Sequence, residues 1–341
     1  MSASSHPVTV TGRLVASDYD IVLAHEHLFI DLSSWLDTAD PAYETLRDQP
    51  VSAETIEMIR GNPFACPDNV KLDDDEDIRC ELEPLRRHHA LVIDVTPDFV
   101  GRDPSRLARM SAMTGIDIVT GCGPYIQAAW PDELHGWGVE DFTDHILGRF
   151  EKARPPGVIG EIGTSAEITG DEKRSLTGAA SAQRQLSGVP LYVHLDPWSP
   201  QAHEALDIIE AAGGDVSRTV LCHLDVSASA DITFARSLLH RGCYVAFDIW
   251  GDEDQYGRNA MPTDRARASA TAALVESGYG DRLVHSQDVC TKSQLTKFGG
   301  PGYGHLVANL PRLLGEAGLS PADITRQMTG NAMSLLTVGP K

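Results

Sequence analysis

The chain has 341 residues, and 49 Asp and Glu against 28 Lys and Arg give it a formal charge of −21. That acidity excludes a nucleic-acid binder as a first reading, because neutralising phosphates needs a basic surface and no basic run here exceeds a pair such as Arg86-Arg87. With 42% hydrophobic and 23% charged residues the composition is that of a globular protein, and no uncharged apolar run approaches the roughly 18 residues of a membrane span.

The first residues, Met-Ser-Ala-Ser-Ser-His-Pro-Val, lack a basic segment followed by an apolar one, so a cytoplasmic location is expected. Cys66, Cys80, Cys122, Cys222, Cys243 and Cys290 form no C-x-x-C pair, and four lie in apolar runs, as reduced buried thiols do.

In chain order, short runs rich in Val and Ile occur at 21–27, 90–96, 116–122, 157–163, 189–195, 219–225, 243–249 and 282–288. Most are continuously apolar instead of alternating, the pattern of parallel strands covered on both faces. Helical spacing follows at 76–89, 104–114, 139–153, 171–187, 201–212, 228–240, 264–277 and 304–317. Eight strands alternating with eight helices predict a (β/α)8 TIM barrel within a single domain spanning 1–341. No G-x-G-x-x-G follows the first strand, which argues against an open dinucleotide-binding sheet. Two segments stand outside the rhythm: a loop insertion at about 33–75, ending in the acidic run Asp73 to Asp77, and an extra helix at about 321–336. The acidic run suits a solvated helix N-terminus.

In such a barrel the active site lies at the C-terminal strand ends, so the polar residues there matter most. Strand one ends His25-Glu26-His27, strand four carries Glu161, strands five and six end at His194 and His223, and strand eight ends at Asp288. Residues i and i+2 of a strand share a face, so His25 and His27 reach one point while Glu26 turns toward the helices. Six metal-type ligands on five strands, brought together only by barrel closure, predict a metal centre. Four neutral imidazoles with two carboxylates supply a charge of about −2, which suits two divalent ions better than one. The strand order predicts His25, His27 and Asp288 on one ion, His194 and His223 on the other, and Glu161 bridging. Asp225, two residues beyond His223, is a candidate for orienting a ligand.

These residues resemble the phosphotriesterase family of the amidohydrolase superfamily, and within it the phosphotriesterase-related branch. The likeness is carried by Val-Leu-Ala-His-Glu-His-Leu at 22–28, Val-Ile-Gly-Glu-Ile-Gly at 158–163, Asp-Val-Cys-Thr-Lys at 288–292 and Lys-Phe-Gly-Gly-Pro-Gly-Tyr-Gly-His at 297–305. The resemblance implies an amidohydrolase-type barrel and two divalent metal ions, zinc or alternatively Mn or Co. It implies a metal-bridging hydroxide that cleaves a lactone, ester or N-acyl amide of a small, anionic molecule. Many members bridge their metals with a carbamylated lysine, and Glu161 stands there instead. True phosphotriesterases end strand seven with a relay histidine, whereas 244–250 offers an apolar residue, which disfavours the alternative reading of a phosphotriester hydrolase. A catalytically silent binding protein, the other alternative, would lack a ligand or Asp288. Asp288 is expected to act as metal ligand and general base together. Tyr125, Trp250 and Tyr303 are candidates for lining the substrate cleft, and Lys292 and Lys297 for holding a substrate anion. A small-molecule substrate, no nucleic-acid or membrane partner, and a homodimer complete the expectation.

Overall fold

The structure, a computed structural model, describes residues 7–16, 18–37 and 39–337. The apolar runs form eight parallel strands, buried from end to end: β1 (Ile21–Glu26), β2 (Ala90–Asp94), β3 (Asp117–Thr120), β4 (Ile159–Gly163), β5 (Leu191–His194), β6 (Thr219–Leu221), β7 (Tyr244–Phe247) and β8 (Leu283–His285). Their ladders run β1-β2-β3 and β4-β5-β6-β7-β8, with every pair parallel. Two seams close these sheets into the (β/α)8 barrel. Between β3 and β4 the Gly160 N–H donates to the Cys122 carbonyl at 2.6 Å. Between β1 and β8 the Glu26 carboxylate accepts from Ser286 Oγ at 2.7 Å, Gln287 N at 2.9 Å and Val289 N at 3.1 Å. Glu26 therefore faces the seam, not the helices, because its oxygens satisfy three donors that no ladder reaches. Burial lifts its carboxyl to about 7.

Side chains divide between two cores. Val22, Ala24, Leu91, Ile93, Val158, Tyr192, Val220, Ala246 and Val284 fill the barrel interior, while Ile21, Leu23, Val92, Ile159, Ile162 and Val193 pack outward against the helices. Strict alternation from Val22 and Ala24 would send His25 outward, and alternation from Val158 would do the same to Glu161. Each strand has a register irregularity, between Leu23 and Glu26 in β1 and between Ile159 and Ile162 in β4. These irregularities re-aim the two site residues into the barrel, a use of bulges common beside active sites. Gly160 makes the second possible: its φ is +110°, and a Cβ there would stand 2.4 Å from the Tyr192 carbonyl oxygen.

The helices follow the predicted rhythm with three departures. The stretch expected as 76–89 splits into α2 (Asp75–Glu81), capped by Asp74 accepting from Glu76 N and Asp77 N, and a 3-10 turn from Glu83 to Arg87. Expected helix 228–240 starts earlier and breaks at Asp231, giving α7 (Asp225–Ala230) and α8 (Ile232–Leu239), because Asp231 leaves helical geometry to cap the second piece. The terminal helix is α11 (Pro321–Thr325) and α12 (Asn331–Leu336) joined by a π-helical turn, with Leu335 and Leu336 plugging the barrel floor. The insertion holds 3-10 turns and the short α1 (Ile56–Gly61), and is pinned by pairing of 30–31 with 71–72. The remaining helices are α3 (Pro104–Thr114), α4 (Val139–Phe150), α5 (Gly170–Leu186), α6 (Ala202–Ala211), α9 (Asp264–Leu274) and α10 (His305–Glu316). Among the described residues no helix is long and apolar enough to cross a membrane.

Arg267 of α9 is fully buried and ties α9 to α7. Its Nε donates to Asp225 Oδ2 at 2.6 Å, Nη1 to Asp264 Oδ1 at 3.0 Å and Nη2 to the Asp252 carbonyl at 2.8 Å. Removing one partner strands the other's charge in the interior. Arg267→Met is therefore expected to lower the unfolding free energy by about 3–5 kcal/mol. Chemical denaturation checks this, and a loss under about 1 kcal/mol, within the range of ordinary substitutions, would refute it.

Candidate metal centre and active site

At the C-terminal rim the strand ends converge on Glu161, which is fully buried. Its Oε1 lies 3.4 Å from His27 Nε2, and its Oε2 lies 3.3 Å from His194 Nδ1 and 3.6 Å from both His25 Nε2 and His223 Nε2. Asp288 closes the ring with Oδ1 at 3.1 Å from His27 Nε2 and 3.6 Å from His25 Nε2, and Oδ2 at 3.8 Å from His223 Nδ1. All six predicted ligands thus meet at one place. His25 precedes the end of β1, but His223 and Asp288 lie beyond their strands in the left-handed region, with φ of 61° and 48°. Such backbone is costly for a residue with a Cβ and concentrates at functional sites. It also turns Asp225 away: the alternation that would put Asp225 beside His223 ends at that residue. Asp225 instead starts α7 and pairs with Arg267, so it does not orient a ligand.

The orienting carboxylate is Asp248, just after β7. Its Oδ1 accepts from His223 N at 2.9 Å and lies 3.1 Å from His223 Nδ1, and its Oδ2 is 3.1 Å from His25 Nδ1. One carboxylate thereby turns the Nε2 atoms of two imidazoles toward Glu161. His27 is held through Nδ1 by Thr96 Oγ1 at 3.0 Å. Nothing in the spacing marked Asp248, since it sits inside the predicted run 243–249; the strand itself ends at Phe247, one residue before it.

The charges reinforce one another. Burial alone would raise the Glu161 pKa, but the surrounding His25, His194 and His223 rings hold it well below the ordinary value. Burial likewise opposes a charged His27, yet Asp288 and Glu161 bring that ring up to about 10. Asp248 is held down, against its burial, by His223 and His25. A cluster this anionic at heart favours cations.

The donor set fits metal ions. His25 Nε2, Glu161 Oε2 and His194 Nε2 are buried with no hydrogen-bond partner, and His223 Nε2 faces His194 Nδ1 at 2.9 Å, nitrogen against nitrogen. Ligand atoms of His25, His27 and Glu161, and again of Glu161, His194 and His223, lie within 4.8 Å of one another. The two groups share Glu161. Buried polar atoms without partners are expensive, and a divalent ion is what this arrangement of nitrogens and carboxylates satisfies.

The phosphotriesterase family profile matches residues 6–336. The chain belongs to the phosphotriesterase family. An N-acetyltaurine hydrolase from Tetraodon nigroviridis is 32% identical over 346 residues, covering 96% of this chain and 97% of that one. A resiniferatoxin-binding protein from Rhodobacter sphaeroides superposes with a TM-score of 0.93 at 34% identity, over 98% of this chain and 96% of that chain. A lactonase from Listeria monocytogenes, 20% identical over 98% and 100% of the chains with a TM-score of 0.77, shares the fold. This phosphotriesterase family member is a hydrolytic enzyme; the family is binuclear metal dependent, and this chain carries a His and carboxylate cluster able to hold metal ions.

A cavity opens onto the cluster, lined on one side by His27, Glu161, His194, His223 and Asp288. Of the predicted substrate contacts only Tyr125 lines it; the Tyr125 oxygen accepts from Trp35 Nε1 at 3.2 Å and lies 3.4 Å from His194 Nδ1. The other four need correction. Trp250 is buried behind the site, where its Nε1 donates to His285 Nδ1 at 3.1 Å. Tyr303 is buried too and donates to the His27 carbonyl at 2.5 Å, fixing the residue's backbone without reaching the cavity. Lys292 is spent on Asp68 at 2.6 Å and the exposed Lys297 on Asp77 at 2.8 Å. Acidic neighbours in the insertion and α2 claim both ammonium groups.

These placements give two expectations. Lys297→Ala should leave hydrolytic kcat/KM within about twofold, since an exposed ion pair contributes little; a tenfold fall would restore it to the site. His285 is buried, with Nδ1 accepting from Trp250 and Nε2 facing Gln327 Oε1 at 3.0 Å, and burial lowers its pKa to about 4. Its neutral form is fully favoured above the unfolded value near 6.5 and is penalised as pH falls toward 4, because only the unfolded ring then takes a proton. Stability relative to His285→Gln should therefore shrink between those pH values by up to about 3 kcal/mol. A difference that stays constant would contradict the neutral assignment.

Proposed function

We propose that the protein is a binuclear metal-dependent hydrolase of a carboxylic bond, with an N-acyl amide as the first candidate and an ester or lactone next. The observation that carries this reading is the sharing of Glu161: its Oε1 faces His27, its Oε2 faces His25, His194 and His223, and it belongs to two groups of closely spaced donor atoms, one with His25 and His27 and one with His194 and His223. The relatives named N-acetyltaurine hydrolase supply the preference for an amide. His25, His27 and Asp288 would hold one divalent ion and His194 and His223 the other, with Glu161 between them. Zinc is the first candidate, with Mn or Co as substitutes, since imidazole and carboxylate suit several such ions. Ions held there supply Lewis-acid polarisation of the acyl oxygen and acidify water toward neutral pH.

The chain's own groups then have distinct tasks. Asp288 is the carboxylate with an open edge, its side chain 17% exposed against 2% for Glu161. It can take a proton from the attacking water at Oδ2 and return it to the leaving nitrogen or oxygen. Glu161, held ionised, stays a ligand. Tyr125 receives the Trp35 N–H on its oxygen, so its own hydrogen remains free for His194 or for an acceptor oxygen in the cavity. Asp248 keeps two rings aimed and takes no proton.

Purified protein is expected to carry about two divalent ions per chain by elemental analysis. Glu161→Gln should lose occupancy at both positions, whereas full loading with full activity would refute the bridge. Asp248→Asn should weaken metal affinity about 10–100-fold in chelator competition, as loss of a ligand-orienting partner does. An unchanged affinity would remove Asp248 from that role.

A further inference from the structure

The wall opposite the metal cluster has a chemistry of its own. Trp35 from the insertion touches the His194 ring at 5.8 Å between centroids and stacks on Phe64 at 5.7 Å and 25°. Phe64 meets Tyr256 at 5.6 Å, and Tyr256 meets Trp198 at 5.6 Å. Four rings from the loops after β1, β5 and β7 therefore form one continuous aromatic arch over the cavity, and Ile30, Leu32, Ile249 and Met261 fill its flanks. The loop after β7 is anchored for this purpose: the Tyr256 hydroxyl donates to Asp252 Oδ2 at 2.5 Å, and Gly257 N donates to the Gly61 carbonyl of α1 at 3.2 Å.

Charge on the same lining is one-sided. Among the described residues lining the cavity there is no Lys or Arg, and the acids are Glu161, Asp252 and Asp288. Arg60 lines a neighbouring cavity instead and donates to the Gly299 carbonyl at 2.8 Å. A sulfonate or carboxylate lying against the arch, away from the metal-facing side, would meet rings and the Asp252 carboxylate with no Lys or Arg to pair with. An ammonium fits no better, because the rings contact one another as a wall instead of standing apart as a cage.

We infer that the part of the substrate remote from the scissile bond is an uncharged aromatic group, held by the arch of Trp35, Phe64, Tyr256 and Trp198. This rests on the carboxylic-bond reading and narrows it. Flat rings bury large area against such a wall at low entropic cost, and offset or edge contacts add to it.

The test uses full-length, metal-reconstituted protein and three acetamides that differ only at the far end: N-acetylphenethylamine, N-acetyltaurine and N-acetylethylenediamine. The aromatic amide is expected to exceed both charged ones in kcat/KM by about tenfold or more, the margin an apolar pocket gives against a poorly matched group. Trp198→Ala and Tyr256→Ala should each erase most of that margin. A preference for the taurine or diamine compound, or a margin untouched in both variants, overturns the inference. The methyl ketone isosteres of the aromatic and taurine compounds, which cannot be hydrolysed, separate this from the function itself through quenching of Trp35 and Trp198 fluorescence. Tighter binding of the aromatic ketone with no amide turned over would sustain the arch and remove the amide reading; tighter binding of the sulfonate ketone would overturn the arch whatever is hydrolysed.

Discussion

A fully buried carboxylate surrounded by four imidazoles is the constraint on which the rest of the molecule depends. Glu161 cannot be taken out of water without compensation, and rings on β1, β5 and the segment after β6 supply it only when the barrel is closed. Closure in turn relies on Glu26, which stitches β1 to the turn that carries Asp288. The seam and the site are therefore one structure. Neighbouring residues of one strand serve both: His25 and His27 face the cluster while Glu26 holds the cluster's last carboxylate in place.

The same economy explains the strained positions. His223 and Asp288 adopt left-handed backbone immediately beyond their strands, and β1 and β4 slip register where they present His25 and Glu161. Regular strands would deliver alternate residues to the interior at fixed heights. Four nitrogens and two carboxylates around one point need different heights and angles, so the pleat is broken where a residue of the cluster is presented. Asp248 then removes the remaining freedom by fixing two rings through their Nδ1 atoms.

What the sequence made legible follows from this. Apolar runs and helical spacing located all eight strands, because parallel strands covered on both faces leave an unmistakable continuous pattern. The six clustered residues were legible because polar residues ending such runs have few structural uses. Asp248 was hidden by the same logic: it lies in the run 243–249 and resembles an interruption. Asp225 was misplaced since period-two reasoning stops being valid where His223 leaves the strand. Lys292, Lys297, Trp250 and Tyr303 were near the site in sequence, but their partners Asp68, Asp77, His285 and the His27 carbonyl come from elsewhere in the chain, and long-range pairing has no local signature.

The acidic surplus also resolves into separate environments. Glu161 is held ionised by imidazoles, Glu26 is lifted to about 7 by burial at the seam, and Asp225 reaches about 6 despite its pairing with Arg267. Asp252 is engaged by Tyr256 on the aromatic wall, and Asp288 alone among the clustered carboxylates keeps an edge to solvent. Each is fixed by different partners, so these carboxylates are not interchangeable even within one cavity. On the proposed function, the division would assign reaction to the wall of clustered histidines and carboxylates and selection to the aromatic wall opposite. Since the cluster sits at strand ends and the arch on the loops that follow β1, β5 and β7, the arch can change without moving the strand-end residues.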